Sequence, residues 1–222
     1  MSALTIGGAA VTRCVIRMPQ RGVWCADVEL DADAAPAGRV SIVADGGPTW
    51  LGTVVDGAVS HGLWSGRVVG GAGGLRGELD PRAYRGARLA DVVADVVADA
   101  GEALAANCGD LGAAVALWHR ARGTGARAVG DVADAAGYGW RVLGEGSLWL
   151  GAESWPASAS ADVSLLDVDP VRRAYTLSGD TLSIAPGVSL PLDVEGETVR
   201  VRVGDVEHLV EPDGYTTKVW AA

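Results

Sequence analysis

Val68 to Asp80 reads VVGGAGGLRGELD, with five glycines among the eight residues 70–77 directly after a strand-like run. A glycine-rich loop in that place either cradles a phosphate at the entrance to an α/β nucleotide fold or lets a β-chain turn sharply into a new unit. Spacing decides between them. The dinucleotide fingerprint needs Gly71, Gly73 and a glycine at 76, where Arg76 stands, and the single lysine, Lys218, rules out the G-K-[ST] of a P-loop. The next residues, ELDPRAYRG, carry Pro81 and Gly86 and delay any helix to about Ala87, so no helix N-terminus meets the loop. The glycines mark a crossover.

The text on either side supports this. TRCVIRM, VWCADVEL, GRVSIVA, TWLGTVVDGAV and LWSGRVVG, between Thr12 and Gly70, are short apolar or alternating runs separated by PQRG, DADAAPAG and DGGP. They predict an all-β unit of five or six strands. After the crossover the period changes: Leu89, Val92, Val93, Val96, Val97 and Ala100 lie on one helical face that stops at Gly101. A second helix is predicted in GARAVGDVADAAG, stopping at Gly137, and a hairpin in YGWRVLGEGSLWLG, turning at Gly144-Glu145-Gly146. AESWPASASADVS, residues 152–164, reads as a linker. RRAYTLSG, TLSIAPG, ETVRVRVGDVEHLV and GYTTKVWA then predict a second β unit, its last two strands joined by EPDG. The expected fold is α+β, mainly β, divided as 1–79, 80–155 and 156–222: a first barrel, an insert of two helices and a hairpin, and a second barrel.

The chain has 222 residues, 49% of them apolar, enough to fill a real core without any Phe. A formal net charge of −10 argues against a nucleic-acid partner, because phosphate binding is driven by Lys and Arg. No signal peptide or apolar run of membrane-spanning length is read from the text, so no membrane partner is expected.

Chemistry-bearing residues are thinly spread. Asp91, Asp95 and Asp99 fall four apart on the polar face of the first helix, where a solvated face is favoured over a metal ladder. Asp31 with Asp33 and Asp167 with Asp169 read as turn and loop carboxylates. His61, His119 and His208 sit in three different segments, and Cys14, Cys25 and Cys108 have no zinc spacing, so they read as small buried thiols. No catalytic, cofactor-binding or metal residue is assigned, and no cofactor is expected.

The ordered set GVWCADVELD, TWLGTVVDG, YRGARLADVVADVVADAG, AVGDVADAAGYGWRVLGEGSLWLG and LSIAPGVSL followed by VEHLVEPDGYTTKVW resembles the hub proteins of phage tail baseplates, a family related to the base of the type VI secretion spike. Pro186-Gly187, Val206 to His208 and Gly214 to Thr217 stand where that family has a late PG, a V-x-H and a closing G-x-x-T. The resemblance implies two tube-like β-barrels separated by a small α/β insert, and a homotrimeric ring adapting a sixfold tail tube to a threefold central spike. It implies as partners the tail tube or distal-tail protein, the spike and the tape-measure protein, and as place the tail tip of a virion. A sixfold distal-tail protein, a small hydrolase and a surface-binding module using exposed Trp residues are the other readings.

Overall fold

Alternation in the first 70 residues becomes a closed wall of strands. The computed structural model describes residues 4–160 and 162–222; Met1–Ala3 and the Ala161 of the expected linker lie outside the described residues. Strands β1 (Leu4–Ile6), β2 (Ala9–Met18), β3 (Cys25–Asp31), β4 (Arg39–Ala44), β5 (Thr49–Ser60) and β6 (Leu63–Gly70) pair in the order β1-β4-β5-β6-β3-β2, and β1 pairs back onto β2. Along β3, Ala26, Val28 and Leu30 point inward while Asp27 and Glu29 point outward.

With no Phe to fill it, the barrel is packed by Trp24, Trp50 and Trp64, each at most 2% exposed. Flat indoles need bare backbone beside them. A Cβ at Gly66 would collide with the Trp64 ring and one at Gly70 with Trp24. The glycines are therefore the other half of the tryptophan packing.

Beyond β6, a short helical turn at Gly74–Arg76 leads into β7 (Glu78–Leu79), β8 (Arg82–Arg88) and α1 (Leu89–Ala100). All six apolar residues named for the first helix are buried, each such Val contributing roughly 1.5–3 kcal/mol. Gly101 takes φ 66° and ends the helix. A strand not expected from sequence, β9 (Ala114–Arg120), pairs with β8 as a two-stranded ribbon. Then come β10 (Gly123–Thr124), paired with β7, and α2 (Gly125–Ala136), whose first turn is capped by Thr124 accepting from the Arg127 amide. The hairpin of β11 (Gly139–Val142) and β12 (Leu148–Gly151) closes the insert.

The second β unit comprises β13 (Val163–Asp169), β14 (Ala174–Gly179), β15 (Ser189–Val194), β16 (Glu197–Glu211) and β17 (Gly214–Ala221), in the order β15-β16-β17-β14-β13. The sheet curls until β13 comes near β15. TLSIAPG is not a strand. Thr181, Leu182 and Ile184 turn inward as a buried plug, and the true strand follows Pro186-Gly187 as β15. A bridge between Ala157 and Ser189 ties the linker to the same end.

The two β units are one hydrogen-bonded sheet. Cys14 to Met18 of β2 pair antiparallel with Val206 to Val210 of β16, so an eleven-stranded sheet runs through both.

Candidate functional site

The glycine-rich loop binds an anion, and the anion is the protein's own. Gly71 and Gly73 take φ 75° and 84°, which turns the amides of Ala72 and Gly74 toward the Glu102 carboxylate at 2.8 and 2.9 Å. Backbone amides converging in this way make an anion-binding concavity of the kind that elsewhere holds phosphate. Here α1 ends at Gly101 and delivers Glu102 straight into it. The loop's donors are spent on fastening the insert to the barrel.

The aspartate row on α1 is likewise consumed locally. Asp91, Asp95 and Asp99 pair with Arg88, Arg82 and Arg120 at 3.2, 3.0 and 2.6 Å, zipping the helix to the β8–β9 ribbon. The Arg120 side chain is buried, so removing Asp99 would leave its charge uncompensated inside the fold. Asp169 accepts from the amides of Val171 and Arg172 as a turn residue, while Asp167 lies exposed on β13 and Asp31 and Asp33 at the far end of β3. His61 sits at the β5–β6 turn, His119 on the ribbon and His208 in the interior. Cys14 is buried and its thiol is pushed up to about 12 by desolvation, whereas Cys25 and Cys108 are half-buried. Among the described residues no three His, Cys, Asp or Glu side chains converge as metal ligands.

The late motifs meet at the seam between the β units. His208 and Thr217 are cross-strand partners, and the His208 Nδ1 lies 2.8 Å from the Thr217 Oγ1, which donates to the Thr181 Oγ1 at 2.8 Å. The Nε2 of the same ring is buried and has no partner within hydrogen-bond geometry among the described residues. The ring stands 5.8 Å from that of Trp50, from the first barrel. Burial pushes His208 down to about 4, the Ile184 backbone opposing.

Gly187 of the PG pair has a different task. It lies against the Arg141 guanidinium, where a Cβ would collide. Arg141, on β11, ion-pairs with Glu153 of the linker, stacks 4.3 Å from the Trp149 ring and reaches the Gln20 carbonyl at 3.5 Å. One side chain therefore touches the first barrel, the insert, the linker and the approach to β15. Nothing in the sequence spacing singles out Arg141; its alternation with Trp140 and Val142 marks only a strand.

On the outward face of the shared sheet, charges alternate from strand to strand. Arg67 of β6 and Arg17 of β2 both bind Asp27 of β3 at 2.7 Å, and Arg17 also binds Glu207 of β16 at 2.8 Å. Register continues the row to Asp56 beside Arg67 and Lys218 beside Glu207. Desolvation raises the Asp27 carboxyl, but hydrogen bonds from Arg67 and Arg17 outweigh it and hold the carboxyl below the ordinary aspartate range. The stripe crosses from one β unit to the other, and its arginines already have carboxylate partners.

No family model matches this chain, and no curated protein matches its sequence. Solved structures do match its fold. The 43 kDa tail protein of prophage MuSo2 from Shewanella oneidensis is 13% identical with a TM-score of 0.71, over 99% of this chain and 96% of that one. A tail protein from Neisseria meningitidis MC58 is 14% identical with a TM-score of 0.71, over 98% and 95%. The E. coli c3393 protein, a type VI secretion component described as structurally similar to the T4 tail proteins gp27 and gp5, is 10% identical with a TM-score of 0.74, over 99% and 76%. Two β units on one sheet with a helical insert between them are, in this chain, the fold of those phage tail proteins.

Proposed function

We propose that this chain is a structural hub of a phage tail or related injection machine, forming a threefold ring between a sixfold tail tube and a central spike. The observation that carries the reading is the single sheet running through both β units, because two β units per chain give three copies six β walls. The fold likeness to tail proteins and to a type VI secretion component supports it. The division 1–79, 80–155 and 156–222 belongs to the same proposal, as do the tube or distal-tail, spike and tape-measure partners and the place at the tail tip.

The charged stripe fits a wall past which a polyanion moves without being held. Phosphate binding needs cations free to replace counterions, and Arg17 and Arg67 are engaged by Asp27 and Glu207. A structural role, with no catalysis, is the accompanying reading.

Counting copies tests the proposal. Three copies per assembled tail, seen by electron microscopy with this chain located, are expected. Six would move the assignment to a distal-tail protein, and a monomer absent from the particle would end it.

A further inference from the structure

The most exposed large apolar side chains among the described residues fall on two regions, Val171 (91%) and Leu166 (58%) on the β13 margin and Leu117 (54%) on the β8–β9 ribbon. A bulge between Leu165 and Asp167 shifts the register of β13, and Leu166 stands exposed there. Each region also ends its sheet: among the described residues β13 pairs with β14 alone, and β8 and β9 only with each other. A ribbon of two strands leaves one face and both edges unsatisfied.

The two regions differ in charge. Leu117 is in register with Arg85, and His119 follows on the same outward face. Arg82, Arg88 and Arg120 are tied to the aspartates of α1, but Arg85 forms no ion pair among the described residues. On β13, Asp169 is held by Arg172, whereas Asp167 is exposed beside Leu166 and forms no ion pair among the described residues. One region thus offers leucine with a free cation, the other leucine and valine with a free carboxylate.

We propose that the outward face of the β8–β9 ribbon docks on the β13 margin of a second copy of this chain, Leu117 meeting Leu166 and Val171 and Arg85 meeting Asp167. The two surfaces are different parts of one molecule, so the contact is head-to-tail and repeats until a ring closes. Apolar contact supplies adhesion and the charge pair fixes orientation. The proposal deepens the ring reading and rests on it for closure.

The test is charge reversal with rescue, read by sedimentation and native mass spectrometry of the full chain. Arg85→Glu and Asp167→Arg are each expected to weaken self-association about tenfold or more, and the double variant to restore it. In a chain with Cys25 and Cys108 changed to serine, Leu117→Cys with Leu166→Cys is expected to give disulfide-linked multimers. Self-association unchanged in both single variants and no cross-link would overturn this contact while leaving a threefold ring standing. A wild-type chain that stays monomeric to about 100 μM with no cross-link overturns it too, and the copy number in the particle then decides the ring reading separately.

Discussion

Acidification from pH 7.5 toward 4 is expected to remove about 3 kcal/mol of stability through His208 alone. In the unfolded chain this histidine titrates at 6.5, and in the fold at about 4. Between those values the unfolded state binds a proton that the folded state refuses, so stability is whole above 6.5, falls with pH through the window and levels below it. Each pH unit in that window is worth about 1.4 kcal/mol, giving roughly 2–3 kcal/mol by pH 4.5. The physical cause is local: burial strips water from an imidazolium held against Trp50, Thr217 and Thr181, and the Ile184 backbone offsets only part of that cost. Asp27 and Asp91 carry lowered carboxyls whose contributions are lost only below the ordinary aspartate range, outside the window. Guanidinium titrations followed by Trp fluorescence at pH 7.5, 6.5, 5.5 and 4.5 measure the slope. His208→Gln keeps a donor for Thr217, cannot be charged, and is expected to flatten it. A wild-type curve changing by less than about 1 kcal/mol over the range, or an equal slope in the variant, refutes the reasoning.

Arg141→Ala strands Glu153 and empties the space beside Trp149, so a loss of about 3 kcal/mol is expected in urea unfolding, with Arg141→Lys recovering only part. Glu102→Ala leaves the Ala72 and Gly74 amides without their carboxylate and should cost about 2–3 kcal/mol, seen as a Tm drop of roughly 5–10 °C in calorimetry. Gly66→Ala pushes a methyl into the Trp64 ring; a loss of about 1–3 kcal/mol and an altered near-UV CD signal are expected. Cys14, buried with its thiol pushed up to about 12, should resist thiol reagents in native buffer, while Cys25 and Cys108 label first on mass spectrometry.

What the sequence made legible followed from periodicity. The six buried positions of α1, its stop at Gly101, and the β11–β12 turn obey local rules, and a window of a dozen residues contains them. TLSIAPG misleads because Leu182 and Ile184 alternate as a strand would, yet their burial comes from plugging the curled second sheet. β9 escapes because Ala114 to Arg120 is held by pairing with β8 across some thirty residues and exposes much of its own surface. The glycine loop was excluded as a phosphate site by spacing, but its partner, Glu102, is a helix away and carries no motif. The charged stripe is beyond any sequence window, since Asp27, Arg17, Arg67 and Glu207 meet only through register.

The pairing of β2 with β16 also sets a schedule for the growing chain. Residues 14–18 leave the ribosome early, pair with β3 on one side, and then present an open edge on the other until residues 206–210 arrive. At about 5–20 residues per second that edge stays uncovered for roughly ten to forty seconds. Cys14, Val15 and Ile16 lie along it, an adhesive strand margin exposed throughout synthesis of the insert. That seal forms only when β16 reaches β2 and His208 comes to stand opposite Ile16, so a chain ending before Val206 is expected to keep this edge of the first barrel open and to aggregate.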